Sequence, residues 1–376
     1  MSTATAIDMH NIISSEEAFN TIEAFAKNVM TNPESANQLP AIMLRGAPGV
    51  GKSTIVKSVA KKLGIGFIDV RLAQMERVDI AGLPSVKDGR TEWNVASFWP
   101  NDPKSKGIIL LDEITSAPSD CQVAAYSVVL DRKIPNSSYT LPNGWLIVAA
   151  GNRSCDKAVV KSMSSALANR FVHFEIEANT EDWVKWATQN SINPSVIGFI
   201  NYRPALLFKM DDQNLEQGWP SPRSWERVSN CLSMFNGNIE AARKIVYGLI
   251  GNQVGTEFME FYKISSEFDS ILDIMLDPKA EFTVPKEADR RYAVASAVVY
   301  HLWNGKTKKD QEARVNGFYK ILMAMPNDFA AMMVRAAMVG NKNVQPMEAM
   351  KAIMSNSNYK KASSKFTNAM KGIGTL

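Results

Sequence analysis

The sequence is poor in cysteine and histidine and has no long apolar run, and each absence excludes a class of protein. The three cysteines, at positions 121, 155 and 231, form an odd and widely spaced set that cannot make a disulfide framework. The three histidines are equally scattered, and no Cys/His pair has the spacing of zinc ligands. The apolar runs are far shorter than the roughly 20 residues that span a bilayer, and the polar start lacks the core of a secretory signal. We therefore expect a cytoplasmic protein that does not cross a membrane.

The composition is that of a folded globular protein with unevenly distributed charge. Hydrophobic residues make up 45% of the 376 residues and charged residues 21%, and this length suggests two or three domains. The formal net charge is only +4, but residues 271–376 contain 16 Lys and Arg against nine Asp and Glu. This basic region forms either a solvated helical surface or a contact surface for nucleic-acid phosphates.

The first 180 residues alternate short apolar segments with longer amphipathic ones, which is typical of a parallel sheet with crossover helices. Five continuously apolar segments predict strands that are buried on both faces. They cover residues 41–45, 66–72, 107–111, 145–150 and 172–176. An amphipathic helix capped by Ser14 or Ser15 is predicted ahead of the first strand.

Two hairpins and a change to helical patterning interrupt this alternation. An insertion at about residues 74–100 contains Asp88-Gly89, which predicts a tight hairpin, and a second hairpin is predicted around residues 135–139. From residue 179 onward the pattern is helical. We expect a small helical domain over residues 181–265, followed by a helical extension over 266–376 that ends in a basic tail.

The strongest motif is a glycine-rich loop, GAPGVGKS, between the first predicted strand and a predicted helix over residues 54–63. Its glycines allow a turn in which backbone N–H groups and a helix N-terminus converge on phosphate oxygens. Lys52 is then expected to contact the β and γ phosphates, and Ser53 to bind Mg²⁺. The candidate nucleotide-binding residues are Gly46, Pro48, Gly49, Val50, Gly51, Lys52, Ser53 and Thr54.

A second motif places two carboxylates after a buried strand. Asp112 and Glu113 end the apolar run that begins at Gly107, at the sheet edge where parallel sheets bind ligands. Asp112 is predicted to orient the Mg²⁺ shell, and Glu113 to polarise a water for attack on the γ-phosphate. The two motifs together predict hydrolysis of a nucleoside triphosphate.

With these motifs the chain resembles the AAA+ ATPases, in particular the MoxR-like group and its dynein-related relatives. The resemblance covers about residues 10–265. It depends on GAPGVGKS at Gly46, LLDEITSAPSDCQ at Leu110, AAGN ending at Asn152, ALANRF ending at Phe171, and SPRSWERVS starting at Ser221. The predicted hairpins before the third and fourth strands are similar to the arrangement that separates this group from other AAA+ proteins. Such a hairpin either faces a bound client or is merely structural.

The resemblance implies roles for three further residues. Asn152 matches the sensor 1 position, Arg170 matches the arginine finger that acts in the neighbouring subunit, and Arg223 matches sensor 2 in the helical lid. Arg153 is a competing cation, directly after Asn152. The chain also departs from the family, which often has a Thr-Gln-Asn-Pro run where this sequence reads Ala-Gly-Asn-Arg-Ser.

The resulting prediction is an α/β protein, with a five-stranded parallel P-loop AAA+ domain, an all-helical lid and a helical C-terminal extension. Its ligands are expected to be ATP and Mg²⁺, its activity ATP hydrolysis, and its assembly a homo-oligomeric, hexameric ring, closed or spiral. The resemblance implies chaperone-like remodelling of a protein or protein complex, with a partner that bears a von Willebrand factor A domain. The alternatives are a nucleic-acid motor or loader that uses the basic C-terminal region, and a nucleotide-gated scaffold with little turnover.

Overall fold

The computed structural model describes residues 11–156, 163–210 and 217–365, so the end of the predicted basic tail lies outside the described residues. The chain divides into two compact units, Met1–Ala178 and Asn179–Leu376. The first unit is an α/β unit and the second is helical. The change to helical structure therefore occurs where the sequence pattern changes, near residue 179.

The first unit is built on a parallel sheet with the strand order β1-β8-β2-β7-β6-β3, and β4 and β5 form a separate antiparallel pair. The strands are β1 (Ile12–Ile13), β2 (Ala41–Arg45), β3 (Gly66–Arg71), β4 (Leu83–Lys87), β5 (Arg90–Asn94), β6 (Gly107–Asp112), β7 (Trp145–Gly151) and β8 (Phe171–Ile176). This architecture confirms the predicted α/β fold class.

The predicted number of five strands is wrong, because the sheet has six among the described residues. The additional strand, β1, has two residues and pairs with Glu175 and Ile176 at the end of β8. Two residues are too few for a recognisable apolar pattern, so this edge strand has no signal in the sequence. The five predicted strands are all present, with ends within one residue of those expected.

Helices cover the sheet, which explains the continuous apolar character of its central strands. The helices of this unit are α1 (Ser15–Thr31), α2 (Lys52–Leu63), α3 (Arg77–Ala81), α4 (Ser119–Asp131) and α5 (Ser165–Ala168). Ile109 and Leu111 of β6 pack with residues of α4 in one apolar cluster. The alternating residues Ile108 and Leu110 are equally buried, and α2 contacts the same strand. Such a strand is buried on both faces.

Local signals set the beginning of α1 and the turn of the first hairpin. Ser14 Oγ accepts a hydrogen bond from Glu17 N, while the Glu17 carboxylate accepts one from Ser14 N, so Ser14 caps the helix in a capping box. Asp88 and Gly89 both have positive φ, as the predicted tight turn between β4 and β5 requires. The second predicted hairpin is reduced to one bridge, between Lys133 and Thr140.

The second unit is helical throughout its described part. Its helices are α6 (Thr180–Gln189), α7 (Pro194–Tyr202), α8 (Pro222–Met234), α9 (Ile239–Ile250), α10 (Asn252–Ser266), α11 (Ile271–Leu276), α12 (Ala288–Leu302), α13 (Lys308–Ala324), α14 (Asn327–Met338), α15 (Pro346–Ser355) and α16 (Asn358–Lys365). No helix within the described ranges is long and apolar enough to cross a membrane.

Packing in this unit joins the two predicted helical segments. Helix α12, in the predicted extension, packs against α7 and α10 in the predicted lid. Phe199 of α7 and Phe258 of α10 form an aromatic cluster with Trp225 of α8. The structure groups both segments in one compact unit. The division into a lid and an extension at residue 265 therefore stays a prediction.

Candidate active site

The glycine-rich loop connects β2 to α2 and makes a close backbone contact. A Cβ atom on Gly46 would lie 2.5 Å from the main-chain oxygen of Ile176, at the end of β8. Gly49 and Gly51 have φ values of 87° and 101°, in the region that side chains other than glycine rarely adopt. The glycines are therefore required by the path of the chain.

The N-terminus of α2 is open to an anion. Its N-cap residue is Gly51, which has no side chain to accept from the helix N–H groups, and the first turn contains no acidic residue. In contrast, a Ser side chain caps α1 and an Asn side chain caps α6. The N–H groups at a helix N-terminus and the positive end of the helix dipole favour a phosphate at this position.

Lys52 begins α2 and is almost fully buried. Its Nζ donates hydrogen bonds to Gly46 O at 2.6 Å, to Ala47 O at 3.1 Å and to Asn152 Oδ1 at 3.2 Å. The side chain thus bends back over the loop that carries it and reaches the end of β7. Two residues that lie 100 positions apart in the sequence are brought together in this way.

Ser53 and Asp112 also meet, at the end of β6. Ser53 Oγ donates a hydrogen bond to Asp112 Oδ2 at 2.6 Å, and Asp112 Oδ1 accepts one from Glu113 N at 2.9 Å. Hydroxyl and carboxylate oxygens are the hard ligands that Mg²⁺ prefers in phosphate sites. These two side chains therefore fit Mg²⁺, in agreement with the donor types that the sequence predicts.

Glu113 follows Asp112 in an unusual backbone conformation. Its φ is 57°, and its side chain is exposed. Hydrogen bonds hold the turn on both sides of it, from Ser116 N to Glu113 O at 2.9 Å and from Ile114 N to Ala150 O at 3.0 Å. A positive φ in a residue other than glycine is uncommon and often occurs at functional sites.

The side chain of Thr115, which no sequence motif marked as functional, contacts the main chain of Asn152. Thr115 Oγ1 accepts a hydrogen bond from Asn152 N at 3.1 Å and lies 3.4 Å from Asn152 O, to which it donates. Thr115 is 3% exposed. The one sequence signal for this contact is Gly151, where a Cβ would lie 2.6 Å from Thr115 Oγ1.

Arg153 is held by carboxylates of its own chain. Its guanidinium bonds Asp156 through Nε and a terminal nitrogen, and donates to Glu175 Oε1 at 2.6 Å. Although burial of the guanidinium favours its neutral form, the hydrogen bonds with Asp156 and Glu175 raise the pKa of Arg153 above its ordinary value. Arg153 is thus engaged within its own chain.

Arg170 and Arg223 have different surroundings. Arg170 directly precedes β8 and is exposed, and no side-chain ion pair of Arg170 is found within the described ranges. Arg223 lies in the helical unit at the second position of α8, where Ser221 Oγ caps the helix by accepting from Ser224 N at 3.2 Å. The Arg223 side chain is exposed.

Sequence comparison agrees with this site. Residues 41–171 match the family described as the AAA domain, dynein-related subfamily, and this match includes the glycine-rich loop, Asp112, Glu113, Asn152 and Arg170. Residues 41–171 therefore form an AAA domain, the nucleotide-binding domain of an ATPase.

Lon proteases are among the relatives in sequence. The Lon protease of Metamycoplasma arthritidis is 29% identical over 285 residues, which are 72% of this chain and 32% of the protease. Lon protease 1 of Bacillus subtilis is 32% identical over 104 residues, which are 27% of this chain and 13% of that protease. The chain spans about a third of the length of the first of these relatives, and less of the second.

Solved structures show weaker likenesses. A RuvB mutant of Thermotoga maritima aligns with a TM-score of 0.36 and 18% identity, over 75% of this chain and 82% of RuvB. A putative ATPase from Cytophaga hutchinsonii aligns with a TM-score of 0.32 and 14% identity, over 96% of this chain and 91% of that protein. NtrX from Brucella abortus in complex with ADP has a TM-score of 0.33 and 13% identity, over 100% of this chain and 70% of NtrX.

Proposed function

We propose that this AAA+ ATPase is a MoxR-like ring protein that hydrolyses ATP with Mg²⁺ and uses the energy to remodel a protein or protein complex. The observation that carries the proposal is the convergence of Lys52 with Asn152 and of Ser53 with Asp112 at one edge of the sheet. These contacts join the phosphate loop to the ends of β6 and β7. A site of this composition suits phosphoryl transfer to water.

The phosphate loop and the end of β6 would bind Mg²⁺-ATP. The N–H groups at the start of α2 contact phosphate oxygens, and Lys52 offsets the charge of the β and γ phosphates. Ser53 and Asp112 would hold Mg²⁺, which would supply charge stabilisation to the phosphate oxygens. The short Ser53 to Asp112 contact supports this pair as the metal-binding residues.

Glu113 and Asn152 would act on the attacking water. The Glu113 carboxylate accepts a proton from the water, which strengthens the water as a nucleophile for in-line attack on the γ-phosphate. Asn152 orients the same water by hydrogen bonding through its carboxamide. The hydrogen bond between Lys52 and Asn152 supports this assignment, because Lys52 is the residue that is proposed to contact the γ-phosphate.

Arg170 would complete the site of a neighbouring protomer. It is exposed, whereas Arg153 is engaged by Asp156 and Glu175, so Arg170 is the better candidate for a charge supplied in trans. Contacts of this head-to-tail kind generate rings when the rotation closes. We propose a hexamer, closed or spiral, in which Arg223 of the helical unit acts as sensor 2.

The client would be a protein, contacted in the cytoplasm with the help of a partner that bears a von Willebrand factor A domain. The hairpin of β4 and β5 supports a protein client, because it exposes two apolar side chains. Leu83 is 60% exposed and Val86 is 81% exposed. Exposed apolar groups of this kind contact other proteins.

The nucleic-acid alternative finds less support. Three cations of the helical unit are paired with carboxylates, namely Arg290 with Glu267, Arg314 with Asp310, and Arg335 with Glu181. Paired cations contribute less to phosphate binding than free ones, because contact with phosphate must replace the existing ion pair. Fewer cations are therefore available than the sequence count suggests.

A trapping experiment with the full chain tests the remodelling function. Glu113→Gln is expected to bind ATP without turnover and to retain a protein client that the wild type releases on hydrolysis. Glu348→Gln is the matched control, since Glu348 is exposed at the start of α15 in the helical unit. Retention that does not depend on ATP, or retention of an oligonucleotide in place of a protein, would contradict the proposal.

A further inference from the structure

We propose that Thr115 is a positioning residue for ATP hydrolysis, which holds the main chain of Asn152 so that the Asn152 carboxamide stays beside Lys52. The inference rests on the proposed function, because it assigns Thr115 a part in the same site. Thr115 itself contacts neither the phosphate loop nor any of the proposed metal-binding side chains in the described hydrogen bonds. Its effect would pass through Asn152.

The Thr115 hydroxyl forms hydrogen bonds with the main chain directly after the end of β7, where pairing with the neighbouring strand has stopped. The pairing of β7 with β2 ends at Gly151, opposite Arg45, so Asn152 is the first residue beyond this pairing. Asn152 N donates to Thr115 Oγ1 at 3.1 Å, and Thr115 Oγ1 donates to Asn152 O at 3.4 Å. One hydroxyl thus satisfies both main-chain groups of the residue.

The fit around Thr115 requires glycine at position 151. A Cβ on Gly151 would lie 2.6 Å from Thr115 Oγ1 and 2.7 Å from Thr115 Cγ2, so an alanine at position 151 would force the Thr115 side chain to shift. Gly151 and Thr115 are therefore in close contact, and Gly151→Ala disturbs the Thr115 side chain.

The contacts form a continuous path between the groups that are proposed to act on ATP. Thr115 lies two residues after Glu113, and the segment between them is attached to β7 by the bond from Ile114 N to Ala150 O. Asn152 Oδ1 accepts from Lys52 Nζ at 3.2 Å. Thr115 therefore links the segment that carries Glu113 to the residue that orients the water.

Loss of the hydroxyl should lower turnover without weakening ATP binding. Thr115→Val keeps the shape of the side chain but removes both hydrogen bonds to Asn152. A small displacement of a group that orients the nucleophile has a large effect on rate, whereas the phosphate loop that provides affinity is unchanged. Thr115→Ser retains the hydroxyl and should retain turnover.

The experiment measures kcat, KM and ATP affinity of the full chain with Mg²⁺-ATP. Thr115→Val is expected to lower kcat about 10- to 100-fold with little change in KM, and Thr115→Ser to stay within about threefold of the wild type. Gly151→Ala should lower kcat in a similar way, because it displaces the Thr115 side chain. In an Asn152→Ala background, Thr115→Val should cause no further loss, because Thr115 acts through Asn152.

Wild-type kcat in a folded Thr115→Val protein would overturn the inference. An equal loss of kcat from Thr115→Val in the wild-type and the Asn152→Ala backgrounds would also overturn it. If Thr115→Val does not fold, Thr115→Ser and Gly151→Ala decide, and a normal kcat in Gly151→Ala overturns it. Failure of the proposed function can be distinguished from failure of this inference. In that case Asn152→Ala itself would have normal turnover, which would remove Asn152 from the reaction.

Discussion

Arg170 and Lys52 lie at opposite ends of two neighbouring strands, β8 and β2, of the parallel sheet. Arg170 precedes Phe171, which pairs with Ala41 at the start of β2, whereas Lys52 follows the loop that leaves the end of β2. The five residues of β2 span roughly 13 Å, which exceeds the length of an Arg side chain. Arg170 cannot reach the phosphate loop of its own chain, so a role for it in hydrolysis requires a second copy.

Arg153 and Arg170 should differ in their effects on stability. Arg153→Ala is expected to lower the free energy of unfolding by about 3–5 kcal/mol, because it leaves the buried Asp156 carboxylate without its partner. Arg170→Ala, on an exposed side chain, should change it by less than about 0.5 kcal/mol. Denaturant unfolding of both variants measures the difference.

The control for this comparison is Asp156→Asn in the Arg153→Ala background, which removes the unpaired charge and should recover part of the lost stability. Equal unfolding free energies for the Arg153→Ala and Arg170→Ala proteins would contradict the structural role of Arg153. The alternative role of Arg153 as the arginine finger would then be open again.

Lys52 and Glu113 should affect different steps of the reaction. Lys52→Ala is expected to abolish tight ATP binding, because the proposed contacts of Lys52 are with phosphates that are present before the reaction starts. Glu113→Gln should bind ATP and lose turnover, because Glu113 acts only on the attacking water. Equilibrium binding of a fluorescent ATP analogue and steady-state turnover separate the two effects. Normal ATP affinity in the Lys52→Ala protein would refute the assignment of the loop.

The sequence was sufficient for the central strands and for the phosphate loop. Strands buried on both faces are continuously apolar, so β2, β6 and β7 have clear ends in the sequence. The loop between β2 and α2 is specified by glycines at positions with positive φ. The end of β6 then placed Asp112 at the ligand-binding end of the sheet, whereas the role of Asn152 came only from the family resemblance.

The missing features depend on contacts between distant residues. Thr115 and Asn152 are 37 positions apart, and a threonine after an acidic pair has no local pattern that indicates this bond. Arg153 and Arg170 could not be distinguished by sequence, because the partner Glu175 lies 22 residues from Arg153. Helix α4 lacks a single apolar stripe, because its small and apolar residues lie on several faces of the helix. The period of 3.6 residues therefore did not predict this helix.

The assembly should grow when ATP binds. An arginine that reaches across a subunit boundary adds a charge-assisted contact only when the γ-phosphate is present to receive it. Light scattering of the full chain with a slowly hydrolysed ATP analogue should therefore show a larger mass than with ADP or without nucleotide. Arg170→Ala is the matched control and should show a smaller increase. The same mass under all conditions would argue against a ring held together by nucleotide.

Arg170→Ala protomers should be partly rescued by Lys52→Ala protomers. In the proposed ring, a site needs the phosphate loop, Asp112 and Glu113 from one chain and Arg170 from the next, so a mixed ring would contain some interfaces with every required group. Removal of such an arginine costs about 10³- to 10⁵-fold in turnover in related phosphoryl-transfer enzymes, which leaves a wide range above the background of either variant. Turnover of mixtures, measured against the sum of the separate variants, provides the test. If mixtures that demonstrably assemble together show no added turnover, Arg170 does not act in trans.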